Sequence, residues 1–276
     1  MEACHSDAIA QGERFPFGAN WTRFLSCIND DHITEAEDSL RTMLDVDDLS
    51  GKHFLDIGCG SGLFSLAARR LGDVVHSFDY DPQSVACTRE LKRRFFEDDK
   101  QWTIQEGSAL DERYIETLGQ FDVVYSWGVL HHTGDMMRGL RNAQIAVRQG
   151  GLLFIAIYND QGIASRFWAG VKKTYCSSLL GQYLVLAVFV PAFAVTSIAL
   201  GLINHGNPMG HFSSYKKKRG MSLYHDWIDW LGGYPFEVAK PEAIFGFYKE
   251  CGFRLLNLKT TNRLGCNQFV FERERF

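Results

Sequence analysis

The chain has no cationic excess and no paired-cysteine spacing, and each lack removes a class of protein. With 29 basic against 33 acidic residues the formal net charge is -4 and the sequence pI about 6.1, so an extended nucleic-acid surface is not expected. Its seven cysteines are scattered and nowhere arranged as Cys-x-x-Cys. That argues against a disulfide framework or a structural zinc site and predicts reduced thiols in a cytoplasmic setting, with no metal. The first residues, Met-Glu-Ala-Cys-His-Ser-Asp, carry neither a basic start nor an apolar core, so a secretion signal is not expected. What the chain does have is apolar material: 46% of its 276 residues are hydrophobic, enough for one substantial core with elaborations.

The stretch Phe54-Leu-Asp-Ile-Gly-Cys-Gly-Ser-Gly62 compresses a strand, a glycine turn and a helix start. Phe54, Leu55 and Ile57 form the apolar run of a buried strand, and Leu63, Leu66, Ala67 and Leu71 recur at helical spacing. Glycine admits backbone conformations and close ligand approach that a Cβ forbids, and the following helix points free N–H groups and its positive end at the turn, so an anionic group suits it. Dinucleotide-binding turns read Gly-x-Gly-x-x-Gly. Here the pattern is Asp56-x-Gly58-x-Gly60-x-Gly62 with no glycine at position 63, which disfavours a nicotinamide oxidoreductase, the rival on the same fold.

Further strands are expected at residues 74–78, 102–105, 121–126 and 152–158, the last after a Gly150-Gly151 turn, with a closing helix at 241–251 and two strands at 253–260 and 268–272. Asp79 ends the second strand a little over 20 residues beyond the first motif, as a ribose-binding acid would. Asp81 before Pro82 suits a helix N-cap. Alternation of strand and helix implies a mainly parallel sheet covered on both faces.

The Asp56 to Gly62 pattern, together with Phe121-Asp-Val-Val-Tyr-Ser126 followed by Trp127-Gly-Val-Leu-His-His132, resembles the motifs of class I S-adenosylmethionine-dependent methyltransferases, closest to the ubiquinone-biosynthesis O-methyltransferase-like group. The resemblance covers residues 50–158 and 241–276. It implies an α/β fold, a Rossmann-like, seven-stranded, mostly parallel sheet with an antiparallel last strand. It also implies S-adenosyl-L-methionine as cofactor, held by Asp56, Gly58, Cys59, Gly60, Gly62, Asp79, Tyr80, Ser108, Ala109, Leu110, Ser126 and Trp127. Asp56 would lie near the methionyl ammonium and Asp79 at the ribose hydroxyls. In Glu106-Gly-Ser-Ala-Leu-Asp111 the usual adenine-binding acid is replaced by Ser108, so either Ser108 or Asp111 is available to the adenine amine.

The flanks are less regular. Residues 1–14 read as poorly ordered, and two helices are expected before the first strand, one carrying Trp21, Phe24, Leu25 and Ile28, the other capped by Thr34 with Glu37. Together, 1–49 form an N-terminal helical cap, whose Phe15 to Trp21 aromatic turn either packs on the domain or covers the cofactor. Residues 159–240 form an insertion far longer than an ordinary connection. Within it, residues 179–203 carry no charge and reach the length of about 20 residues that spans a bilayer.

A single crossing would strand the closing helix and last strands on the wrong side of the membrane. Pro191 would break or kink the segment, and basic residues flank both ends, Lys172 and Lys173 before, Lys216, Lys217, Lys218 and Arg219 after. A hairpin dipping into the lipid surface, an apolar wall for a lipid-like acceptor and a homo-oligomer contact all fit. A helix at 223–231, burying Leu223, Trp227 and Leu231, is either a solvated cap or a wall of the acceptor pocket.

Methyl transfer is an in-line displacement that rests on positioning and exclusion of water, with a base for the acceptor proton. His132 is the first candidate base, with His225 and Glu237 behind it. Its neighbour His131 points elsewhere, and chelation of a metal by the pair is not expected. The expected activity is methylation of a small-molecule acceptor, a lipid-like, quinone-like or glycan-related hydroxyl, by a cytoplasmic or peripheral membrane enzyme. The rival from another class is a membrane-associated, non-catalytic S-adenosylmethionine-binding protein.

Overall fold

A computed structural model describes residues 5–207 and 223–275. Three helices precede the sheet: α1 (His5–Ala10), α2 (Gly18–Leu25) and α3 (Asp30–Leu44). Residues 5–10 of the segment expected to be poorly ordered are therefore helical, with Ala8 buried, while residues 1–4 lie outside the described set. The α3 cap is Asn29, whose side chain accepts from His32 N–H while the His32 ring accepts from Asn29 N–H. Thr34 and Glu37, expected to form that box, lie inside the helix, and Glu37 pairs with Arg41 and Arg70. The earlier Asn29 won because its extended backbone places it outside the helix, as a cap requires.

The sheet contains β1 (His53–Ile57), β2 (Val74–Asp79), β3 (Trp102–Glu106), β4 (Phe121–Trp127), β5 (Val147–Tyr158), β6 (Phe253–Lys259) and β7 (Cys266–Arg273) in the order β3-β2-β1-β4-β5-β7-β6. The first five are parallel, and β7 runs antiparallel to both β5 and β6. Gly150 and Gly151 do not end a turn before β5 but sit within the strand, with Gly150 at φ +70° and a register shift between Phe121 and Val123 on the neighbouring strand.

Because both faces are covered, the central strands are apolar at consecutive positions. Leu55, Val124, Ile155 and Phe269 face one core with Leu140, Ile244 and Tyr248, from α7 (Met136–Ile145) and α11 (Pro241–Glu250). Phe54, Val123, Phe154 and Val270 face the other with Leu40 of α3, Leu66 of α4 (Leu63–Arg70) and Leu91 of α5 (Pro82–Phe95). A short α6 (Glu112–Leu118) joins β3 to β4.

The insertion supplies α8 (Ile163–Ser177), α9 (Leu179–His205) and α10 (Leu223–Gly232). Pro191 does not break α9, which continues through it. Where α8, α9 and α10 meet, Tyr175, Val185 and Leu231 form a third apolar cluster with Phe15. The basic run 216–219 lies outside the described residues. Chain order reverses between β1, which leads to β2, and β4, which leads to β5, opening a cleft at the carboxyl ends of these strands where α/β sheets bind ligands.

Phe269 is 1% exposed, and its ring stacks on Phe271 with centroids 5.8 Å apart. Phe269→Ala should lower unfolding free energy by about 3–5 kcal/mol in urea titration; a loss under about 1 kcal/mol would mean that β7 is not built into the core.

Candidate active site

The Gly58 to Gly62 turn leaves β1 and is tied to the tip of β2. Gly58 and Cys59 both donate their N–H groups to the Phe78 carbonyl, at 2.8 and 3.0 Å. The next residue, Asp79, accepts from Gly60 N–H through one oxygen and from Asp81 N–H through the other, each at 2.9 Å. Gly58, Gly60 and Gly62 all have φ between +54° and +80°. At Gly58 a Cβ would also strike the Val129 side chain at 2.3 Å, and at Gly60 it would press on the Trp21 indole at 3.1 Å. The turn is therefore bare backbone by necessity.

Asp56 on β1 is buried beneath the turn. Ser65 Oγ of α4 donates to it at 2.5 Å. Trp102 Nε1 of β3 donates to Ser77 Oγ at 2.9 Å, and Ser77 lies 2.7 Å from Ser65 Oγ. Since indole only donates and Ser65 gives its proton to Asp56, the chain is directed from Trp102 to the carboxylate. Burial raises the pKa of Asp56 to about 7, opposed by Ser65 and reinforced by Asp79; burial likewise raises Asp79 to about 6.

These groups open on a cavity of about 850 Å³, within the range of ligand pockets. Asp56, Gly58, Cys59, Gly60, Asp79 and Tyr80 line one end with Ser108, Ala109, Leu110 and Trp127. Gly62 lies behind this lining as the N-cap of α4. Ser126 is fully buried and donates to the Ile57 carbonyl at 3.0 Å, which fixes β4 to β1 instead of facing the cavity. Of the two adenine candidates, Ser108 lines the cavity, whereas Asp111 caps α6 by accepting from Tyr114 N–H. Asp81 caps α5 through Gln83 N–H, as its place before Pro82 suggested.

The N-terminal segment closes this end. Gly18 N–H donates to Asp81 at 2.7 Å, Phe15 N–H to the Tyr234 carbonyl, and Arg14 to the His132 and Thr133 carbonyls. Phe15, Phe17, Trp21 and Phe24 line the cavity, so the aromatic turn covers the site. Arg14 had no signal in the sequence, because its partners lie more than 100 residues away.

At the other end His132 lines the cavity. Its Nδ1 lies 2.5 Å from the Pro235 carbonyl, which can only accept, so Nδ1 carries the proton and Nε2 is left as the acceptor. Burial drives its pKa down to about 3, with Lys172 and Arg14 adding to the shift. This differs from a base near neutrality, because the imidazole sits among Phe17, Tyr158 and His131 rings. His131 is fully buried, held well below the usual histidine range by burial, and accepts from Tyr158 N–H.

Glu237 is not at the cavity. Its carboxylate accepts from Gly134 and Met136 N–H, capping α7, and its burial there raises its pKa. The candidate His225 lies in α10, but its side chain is outside the described residues. The same helix instead presents Asp226, Asp229 and Trp230 to the cavity. Asp229 Oδ1 is buried without a hydrogen-bond partner, and burial with Asp226 nearby raises its pKa to about 7. Behind it lies Lys172, 1% exposed, donating to the Trp230 carbonyl and 4.3 Å from the Trp230 ring centroid; burial lowers it to about 7. Among the described residues no cluster of histidine, cysteine and carboxylate side chains is arranged to hold a metal.

Residues 55–153 match the family model described as a methyltransferase domain. The ubiquinone biosynthesis O-methyltransferase of Methylobacterium sp. (strain 4-46) is 36% identical over 121 residues, 43% of this chain and 46% of that protein. Its counterpart from Pseudomonas aeruginosa (strain LESB58) is 34% identical over 134 residues, 48% and 55% respectively. The chain thus spans about half the length of the curated relatives it matches. Magnesium protoporphyrin IX methyltransferase from Synechocystis PCC 6803, solved with bound SAH, superposes with a TM-score of 0.56 over 97% of this chain and 100% of that one at 14% identity. The sheet order, the bare turn beside two carboxylates and these likenesses converge: residues 55–153 match a methyltransferase domain, and the chain has the fold of class I S-adenosylmethionine-dependent methyltransferases.

Proposed function

We propose that the protein transfers a methyl group from S-adenosylmethionine to the hydroxyl of a small, lipid-like or quinone-like acceptor. The observation that carries this reading is the pairing of the bare glycine turn with two carboxylates, the buried Asp56 and the half-buried Asp79, lining one cavity. Uncompensated negative charge in a buried place calls for a cation or for donors. An ammonium and a sugar diol answer both needs, and the N-terminal end of α4 suits a carboxylate. Asp56 would hold the amino end, Asp79 the ribose, and Ser108 to Leu110 the base. When bound, the sulfonium supplies an electrophilic methyl carbon.

The acceptor end supports a hydroxyl. His132 and Asp229 both line a space with aromatic walls, Phe17, Tyr158 and Trp230, each carries an acceptor, the imidazole Nε2 and the carboxylate, and a hydroxyl has a proton to give them. A base works best with a pKa near the working pH. By that measure Asp229, at about 7, takes the proton, and neutral His132, at about 3, orients the acceptor oxygen. The activity for which the relatives are named, O-methylation in ubiquinone biosynthesis, agrees with a hydroxyl acceptor.

Four outcomes test this. S-adenosylhomocysteine binding should strengthen as pH rises through about 6–7, because the ligand favours ionised Asp56 and Asp79 over their protonated forms; the gain approaches about tenfold per pH unit for each group still protonated. Calorimetry in buffers of different ionisation enthalpy should register proton release, and a pH-independent affinity without it would overturn the assignment. Asp79→Ala should weaken binding about 10- to 100-fold, the loss of charged hydrogen bonds worth about 1.5–3 kcal/mol; unchanged affinity would remove Asp79 from the site. With a hydroxyl acceptor, kcat should rise with pH through about 7, and Asp229→Asn should lower it about 100-fold or more and abolish that limb. A surviving limb in Asp229→Asn would reject Asp229 as the base. His132→Ala should lower kcat with cofactor affinity intact.

A further inference from the structure

The helix α9 is 27 residues long, close to 40 Å at about 1.5 Å per residue, and its apolar window has mean hydropathy 2.3 with only 11% of it buried. No Asp, Glu, Lys or Arg occurs between Leu179 and His205. One side is accounted for. Val185, Leu186, Phe189 and Phe193 pack in the cluster formed with Trp168 and Val171 of α8 and Ile228 of α10, and the Phe193 ring lies 5.7 Å from that of Trp227.

The opposite side is not. Leu180, Leu184, Val188, Val195 and Leu202 are 69%, 57%, 62%, 67% and 49% exposed, and at 3.6 residues per turn they fall within about a quarter of the circumference. A water-facing helix side carries charge at such positions. This one carries none over its whole length.

We propose that this face of α9 docks on the surface of an anionic lipid bilayer, the helix lying along the interface. Two observations select that occupant. The helix cannot cross the bilayer while the sheet stays whole: α8 descends from β5, α10 leads to α11 and β6, and α8, α9 and α10 share one cluster on one side. Both ends of the apolar stretch are basic, with exposed Lys173 one turn before the α8 to α9 corner and Lys216-Lys-Lys-Arg219 within 15 residues after it, the arrangement that anionic headgroups attract.

Docking so placed has a geometric result. α10, which presents Asp229 and Trp230 to the cavity, is in contact with α9 through Trp227, so two helices, α10 and α9, would lie between the cavity and the lipid.

Flotation of the full-length protein with phosphatidylcholine vesicles containing phosphatidylglycerol tests the proposal without reference to catalysis. Wild type should rise with the vesicles. The Leu180→Glu, Val188→Glu, Val195→Glu triple variant should show a floated fraction lower by about tenfold or more, three charges having entered the docking face, while its thermal transition stays at the wild-type temperature. Val195→Glu alone gives the same test in smaller measure if the triple variant fails to fold. Wild type left at the bottom of the gradient, or a folded triple variant that floats like wild type, would overturn the proposal. So would a wild-type dimer in light scattering that the triple variant converts to monomer with no flotation by either, since the face would then belong to a second copy.

Discussion

Two carboxylates on neighbouring strand tips, taken out of water with few cations at hand, are the constraint around which this molecule is arranged. Asp56 and Ser77 are register partners on β1 and β2, and Ser65 of α4 stands close enough to bond to both side chains. The directed chain from Trp102 therefore runs across three strands and a helix before it ends on Asp56. Asp79 does the same for backbone: it holds the turn after β1 to the turn after β2 through two amides. Burial of such groups is costly unless each lone pair finds a donor. The protein supplies some donors and leaves the remainder of each carboxylate's capacity facing the cavity.

Much of this was legible locally. A run of buried residues at 54, 55 and 57, three glycines at two-residue intervals and the Asp81-Pro82 pair each declare their own conformation through short-range sterics. The seven-stranded, mostly parallel sheet and its antiparallel last strand follow the family resemblance. What could not be read depends on groups distant in sequence. Glu237 has the composition of a catalytic acid, yet it sits at the α7 N-terminus, supplied by a strand of backbone 100 residues away. His132 has the residue type of a base, but the rings around it and a carbonyl from Pro235 decide its protonation. Asp229 stood in a segment dense with polar groups, and only the packing of α10 on α8 distinguishes it from Asp226 as the carboxylate with an unpaired buried oxygen.

The N-terminal helices and the insertion meet over the same cavity from opposite directions. Phe15 joins the apolar cluster of α8, α9 and α10, and Phe15 N–H bonds to Tyr234 beyond α10. The two additions to the sheet are thus one cover in structural terms, although residues 50–158 lie between them. Arg14, gripping two carbonyls of the turn after β4, fixes that cover to the wall that carries His132. Exclusion of water over the reacting end follows from this closure.

Pro191 sits in mid-helix on the exposed side of α9. Having no N–H, it leaves the Ala187 carbonyl, one turn earlier and also exposed, without its amide in the ladder. A bare carbonyl is ruinous in dry hydrocarbon and harmless where water or a headgroup can reach it. Were α9 to dock on lipid as proposed, that single missing proton would act as a waterline, keeping the middle of the helix at the wet boundary and setting how far the surrounding side chains could sink.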